Sequence, residues 1–152
     1  NNPNINRYLT TKSATRKSIF DYVNNLRDRN LDLLAIFNNK NNQHIGNLSI
    51  TVLEKNRGIY GLMIADEKAR LSGYGGEASL CAFKLYFEYL DINRIELMAE
   101  TLNEPAINNF VSLGMKKNKE ENYFSIYEIK KEKWESIKLK SALYKKIIIT
   151  KY

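Results

Sequence analysis

The densest group of chemistry-bearing residues is the run Arg70-Leu71-Ser72-Gly73-Tyr74-Gly75-Gly76. Glycines at this spacing remove β-carbons from the backbone, so that successive N–H groups can converge on an anion. An apolar stripe follows, Leu80, Phe83, Phe87 and Leu90, at helical spacing. A helix that begins at the glycines aims the positive end of its dipole at the turn, an arrangement that holds phosphate or pyrophosphate. Gly73-x-Gly75-x-x-Ala78 also fits the dinucleotide fingerprint G-x-G-x-x-G/A. That fingerprint needs a strand running straight into the first glycine, inside a doubly wound parallel sheet. Eight residues separate Ile64 from Gly73, and the preceding segments read as antiparallel hairpins, which disfavours the dinucleotide fold.

Other chemistries are narrowed by counting. A single cysteine, Cys81, excludes an intramolecular disulfide and a cysteine-rich zinc site. A single histidine, His44, removes most His-based metal and triad chemistry, so no metal is expected. Cys81 falls within the apolar helix and reads as core, and His44 as a sheet-edge residue. The 152 residues suit one domain, and 43% hydrophobic content suits a sizeable core. No apolar run approaches the ~20 residues of a membrane span. The polar start, Asn1 to Arg7, lacks the apolar core of a signal peptide, so a cytoplasmic location is expected. The Asn-, Lys- and Ile-rich composition is of a kind common in AT-rich bacterial genomes. Of the net charge of +7, residues 116–152 carry most, with 11 Lys against 5 Glu and no Arg. Without arginine clusters or aromatic interleaving this run reads as a solvated surface, and nucleic acid is disfavoured as a partner.

These groups need a scaffold, and hydrophobic spacing supplies one. Ser13 is expected to cap a helix running to about Arg29, with Ile19, Phe20, Val23 and Leu26 on one face. Strands are expected over Leu33–Phe37, His44–Leu53 and Ile59–Ile64, the last central in the sheet. The glycine-turn helix to about Leu90 comes next, then a strand over Arg94–Glu100. Pro105 opens a short helix ending near Leu113-Gly114. A strand over Tyr123–Ile129 and a helix over Lys130–Lys140 close the chain. The order implies an α/β fold, a mixed sheet with helices on both faces.

Arg70-x-x-Gly73-x-Gly75, lying between a strand and a helix, resembles motif A, R/Q-x-x-G-x-G/A, of the GCN5-related N-acetyltransferase (GNAT) superfamily. Downstream, Asn103-x-x-Ala106-Ile107-x-x-Phe110-x-x-x-Gly114-Met115 resembles that superfamily's motif B. Asn93-Arg94-Ile95-Glu96-Leu97, His44-Ile45-Gly46-Asn47 and the segment Asn2–Leu9 resemble the RimJ/RimL-type subgroup. The resemblance implies a single acetyltransferase domain over residues 1–152, with about 130–152 as a basic extension. Its sheet would be mostly antiparallel, with one splayed parallel strand pair. It also implies a further strand and helix ahead of Asn1, roughly 20 to 30 residues.

The activity so implied is acetyl transfer from acetyl-CoA to a primary amine by direct attack on the thioester. The acceptor would be a small-molecule or peptide amine, for example a nucleotide-linked amino sugar or a protein N-terminus, and the resemblance leaves room for a homodimer. Backbone groups of Met63 and Ile64 would hold the pantetheine arm. Arg70, Leu71, Ser72, Gly73, Tyr74, Gly75 and Gly76 would hold the pyrophosphate, with Asn103, Asn108 and Phe110 also at the cofactor. Two side chains depart from the pattern. Relatives often carry a carboxylate one or two residues before the equivalent of Gly61, where this chain has Ile59 and Tyr60, and the motif B tyrosine is Phe110. Proton transfer would then fall to Tyr60, Ser112, Tyr123 or water. The same departures motivate a different class of function, a non-catalytic module that binds CoA or a protein.

Overall fold

A computed structural model describes residues 13–138, apart from 27, 29 and 55. Helix α1 spans Arg16–Asn24. Its cap is Thr15 rather than the expected Ser13. The Thr15 hydroxyl accepts from the Ser18 N–H at 3.1 Å, while the Ser18 hydroxyl accepts from the Thr15 N–H at 2.9 Å. This reciprocal pair satisfies two donors at once, which a lone Ser13 does not.

Three strands follow, β1 (Leu31–Asn38), β2 (Gln43–Leu53) and β3 (Arg57–Ile64), joined as antiparallel neighbours. Helix α2 (Tyr74–Lys84) crosses the sheet to β4 (Arg94–Glu100), which lies parallel to β3. Helix α3 (Glu104–Ser112), β5 (Lys116–Glu121), β6 (Phe124–Lys130) and α4 (Lys131–Lys138) complete the described chain. The sheet order is β1-β2-β3-β4-β6-β5, and every pairing but β3 with β4 is antiparallel. The mixed sheet, its central β3 and its single parallel pair all match the sequence expectation. No helix among the described residues is long and apolar enough to cross a membrane.

Alternation along the strands separates two faces. Leu48, Ile50, Tyr60, Ile95, Leu97, Tyr127 and Ile129 share the face that packs against α2, α3 and α4. Helix α1 buries none of its residues. Phe83 and Phe87 of the α2 stripe are fully buried, but Leu90 is not. The helix widens into a π turn over Leu85–Tyr89, and the extra residue rotates Leu90 off the packed face. The strand β5 has no counterpart in the sequence expectation, because all six of its residues are exposed and none is apolar. Its Lys and Glu side chains suit a sheet edge, where charge deters pairing with another chain.

Trp134 anchors α4 to the core. It is fully buried, stacked on Phe87 at 6.0 Å and edge-on to Phe83 at 6.0 Å. Residues 139–152, the segment Asn2–Leu9 and the strand and helix expected ahead of Asn1 lie outside the described residues. Removing the indole takes away both ring contacts: Trp134→Ala is expected to cost about 3–5 kcal/mol of stability, read as a shift of the urea midpoint.

Candidate active site

Strand β3 pairs with β2 along its whole length, from Arg57–Leu53 to Ile64–Gly46. With β4 it pairs over only three rows, Arg57–Arg94, Gly58–Ile95 and Ile59–Glu96. Beyond them the strands part, and Tyr60–Ile64 has no partner in Leu97–Glu100. Every second residue of β3 there turns its N–H and C=O into the gap, and such groups need a solvent or ligand partner. Ile64 is such a residue, its carbonyl turned away from β2, whereas Met63 is level with Asn47 and turns its carbonyl toward β2. The wall is firmly set: a Cβ at Gly46 would collide with the Met63 carbonyl oxygen, so β2 approaches closely only because residue 46 is glycine. Past the strand end, the Ala65 and Asp66 N–H groups donate to the Ile45 carbonyl at 2.8 and 3.2 Å.

The glycine turn sits at the open end of this gap. Asp66 Oδ1 accepts from the Ala69 N–H at 2.8 Å, and the Arg70 N–H donates to the Asp66 carbonyl at 3.2 Å. The Arg70 guanidinium donates back to the Ile64 carbonyl at 3.0 Å and to the Ala65 carbonyl at 3.5 Å. Its side chain therefore ties the turn to the end of β3. Leu71 (φ 60°) and Gly73 (φ 89°) are both left-handed, which gives the turn its concave run of N–H groups. No side chain caps α2, and its first hydrogen bond runs from the Glu77 N–H to the Gly73 carbonyl at 3.1 Å. The N–H groups of Tyr74, Gly75 and Gly76 precede it and have no partner within the helix. Neither Gly75 nor Gly76 is needed to make room for the protein itself. A Cβ at 75 would lie 3.5 Å from Leu62 Cδ2, and one at 76 would lie 3.5 Å from Asn109 Oδ1, both ordinary contacts.

Beneath the turn lies a polar knot that sequence reading missed. Ser79, fully buried, donates from Oγ to the Gly75 carbonyl at 2.7 Å. With its one proton spent there, Ser79 Oγ accepts from the Tyr60 hydroxyl at 2.8 Å and from Asn109 Nδ2 at 3.5 Å. Burial raises the Tyr60 phenol far above its ordinary value, so it stays protonated and donates. One serine thus links β3, α2 and α3. A serine inside an apolar helix stripe carries no sequence signal that separates this role from an exposed one.

The other expected site residues fall at varied distances from the gap. Tyr60 belongs to the knot and is only 3% exposed, so it is shielded from a substrate arriving through solvent. Asn103 caps α3, its Oδ1 accepting from the Ala106 N–H at 3.3 Å. Asn108 is exposed, and it is its neighbour Asn109 that reaches α2. Phe110 is buried, its ring 5.8 Å from Tyr127. Ser112 is exposed and donates to the Asn109 carbonyl at 2.7 Å. Tyr123 is 79% exposed, and its carbonyl accepts from the Thr101 N–H at 2.8 Å, just past the end of β4. Ser72 Oγ donates to the Lys68 carbonyl at 3.0 Å, and Leu71 projects into solvent. Cys81 is exposed, contrary to the expected core position, because the buried stripe of α2 runs through Ser79, Leu80, Ala82 and Phe83. No group of three metal-ligating side chains occurs among the described residues.

A family model described as an acetyltransferase (GNAT) domain matches residues 1–116. No curated protein matches the sequence. Among solved structures, an aminoglycoside acetyltransferase, AAC(6')-Ib, in complex with coenzyme A is similar with a TM-score of 0.80 at 12% identity, covering 90% of this chain and 87% of that one. Apo FdhC, a nucleotide-linked sugar GNAT, gives 0.77 at 20% identity, covering 95% and 84%. Spermidine N-acetyltransferase from Vibrio cholerae, in complex with CoA and spermine, gives 0.76 at 15%, covering 88% and 86%.

The knot predicts an asymmetry between two deletions. Ser79→Ala strands the buried Tyr60 hydroxyl and is expected to cost about 2–3 kcal/mol, whereas Tyr60→Phe leaves Ser79 bonded to Gly75 and should cost about 1. Urea unfolding of both variants checks the order.

Proposed function

The chain belongs to the acetyltransferase (GNAT) domain family, and on that footing we propose that it transfers an acetyl group from acetyl-CoA to a primary amine. The observation that carries this reading is the strand gap opening onto an uncapped glycine turn. The stretch of β3 from Tyr60 to Ile64, unpaired on its β4 side, suits the amides of a pantetheine arm. The free N–H groups of the turn suit its pyrophosphate. Bound there, acetyl-CoA supplies the activated acetyl group, and this chain's residues orient it and exclude alternatives. Asn109, rather than Asn108, is the α3 amide best placed toward the turn. Arg70 acts as a positioning residue through the Ile64 carbonyl.

The acceptor amine attacks the thioester carbonyl. Its proton must leave, and the departing thiolate must gain one. Tyr60 is a poor base because its phenol is buried, and Ser112 points its hydroxyl back at its own helix. Of the three residues named from sequence, Tyr123 is 79% exposed, its backbone lies against the end of β4, and it is retained as the proton donor. With no carboxylate at Ile59 or Tyr60, an acceptor that needs little deprotonation fits best. An α-amino group of pKa ~8 is partly neutral near pH 7, and a lysine at ~10.4 is not. The formal charge of +7 works against a polycation and favours a phosphorylated or acidic acceptor. A nucleotide-linked amino sugar meets both conditions, and the likeness to FdhC supports it. A protein N-terminus, supported by the RimJ/RimL resemblance, meets the first. The setting expected for such an enzyme is the bacterial cytoplasm, where acetyl-CoA is made. Phe110 in place of the motif B tyrosine favours a second reading, a CoA-binding module without turnover.

Calorimetric titration with CoA separates these readings. Binding is expected in the parent chain. Gly75→Ala should keep it and gain up to about 1 kcal/mol of stability, since alanine suits a helix better than glycine. Gly75→Glu should abolish it, and no heat from the parent chain would refute the cofactor assignment. With binding established, thiol release is expected to be faster with a nucleotide-linked amino sugar than with a lysine peptide. Release with no amine in the panel would leave the module reading.

A further inference from the structure

We propose that the sheet face opposite α2, α3 and α4 carries an anion site, built from Arg57, Arg94 and Lys130, that takes the phosphate groups of the acetyl acceptor. Its assigned role rests on the acetyltransferase reading, whereas its existence as a site does not.

The register places the three cations in one row. Arg57 is level with Arg94 across the parallel pair, and Arg94 is level with Lys130 across the antiparallel one. Level residues share a face. Gly58 and Ile95, one residue on, lie on the packed side, so the cation row lies on the other. Adjacent strands are about 4.8 Å apart, so three positive side chains rise from a strip some two strand spacings wide. The next row on the same face is acidic, Glu96 level with Glu128. It holds the arginines in place. Glu96 bonds Arg57 Nη1 at 3.0 Å and Arg94 Nε at 3.1 Å, and Glu128 lies 3.8 Å from Arg94 Nη1. Those contacts leave Nε and Nη2 of Arg57 and Nη2 of Arg94 as further donors. A guanidinium held on one side by a carboxylate is already oriented to meet an oxyanion on the other.

A cavity of about 610 Å³ opens beside this row, lined by Asn30, Val52, Leu53, Glu54, Arg57 and Arg94. That size is within the ordinary range for small-molecule sites. The lining is mixed as a nucleotide-linked sugar would require: arginines for phosphate, Asn30 and Glu54 for hydroxyls, and Leu53, level with Arg57, as an apolar wall. Its position is also apt. Helices α2, α3 and α4 pack on the other face, and in the proposed arrangement the acceptor reaches the strand gap from this one. The gap opens beyond the Ile59–Glu96 row, and Gly61 is four residues along β3 from Arg57, roughly 13 Å. A sugar ring with its attached diphosphate can bridge that distance, with the amine at the gap and the phosphates at the arginines.

The test titrates UDP into protein saturated with CoA, so that the glycine turn is already filled. Binding is expected, weakening about tenfold in Arg94→Gln and severalfold in Lys130→Gln, with the CoA affinity of both unchanged. Lys130 is exposed and its substitution leaves the Glu96 pairs intact, which keeps the test open if Arg94→Gln fails to fold. UDP that fails to bind CoA-saturated protein, or that binds parent and Lys130→Gln equally, overturns the site. If CoA itself does not bind, the acetyltransferase reading fails separately. The same UDP titration on Gly75→Glu, whose turn is blocked, then decides the anion site alone.

Discussion

The separation of β3 from β4 after three paired rows is the constraint on which the rest depends. The two strands run parallel because α2 carries the chain across the sheet between them, and parallel neighbours must be joined by such a crossover. The last shared rows are clamped from the helix side. The Tyr86 ring lies so close to Gly58 that a Cβ there would meet it at 2.9 Å, and its neighbour Ile95 is fully buried. On the other face, Glu96 ties the same rows with an arginine from each strand. Above this double clamp neither strand binds the other, while β2 continues to hold β3 straight and β6 holds β4. A gap bounded by two strands that are each secured on their far side keeps its width without a ligand. That is the preorganisation an acyl-transfer site needs.

The turn inherits its placement from the same strand. Arg70 bonds the last carbonyl of β3, and Tyr60, four residues back, bonds Ser79 beneath the Gly75 carbonyl. The wall of the gap and the helix terminus above it are therefore fixed to each other at two points, one part-buried and one buried. The buried one is the stronger constraint, because an unmade hydrogen bond there has no water to replace it. Leu71, held at φ 60° with its side chain in solvent, shows what the turn tolerates to achieve its shape. A left-handed leucine carries about 1–2 kcal/mol of strain.

What was legible in the sequence follows from which signals are local. The strands of Leu48, Ile50 and Ile95, Leu97 announce themselves by alternation, and Pro105 with Gly114 brackets α3. The glycine run marked the turn, and its neighbours marked the family. The edge strand β5 was silent, since a strand with both faces in water has no period to read. The π turn was silent as well, because the stripe through Phe83 and Phe87 continues to Leu90 on paper and fails only when the helix widens. Asn108 and Asn109 show the limit at the site. Both sit within the motif, and only the orientation of α3 against α2 decides which amide faces the turn.

Charge illustrates the difference between composition and arrangement. Counting assigned the positive surplus to the lysines beyond residue 115, and several of those are occupied locally: Lys117 pairs with Glu120, Lys119 with Glu121, and Lys138 with Glu135. The cations that converge come instead from three separate segments, β3, β4 and β6, and meet because the parallel register sets residue 57 beside residue 94 and the antiparallel one sets 94 beside 130. Shifting the β4–β6 register by one residue would move Lys130 to the packed face and destroy the row. That register is in turn fixed by Ile95 and Ile129, which are level with each other in the core. The apolar face thus determines which charges are neighbours on the polar one, so the electrostatics of the open face are a product of packing on the face behind it.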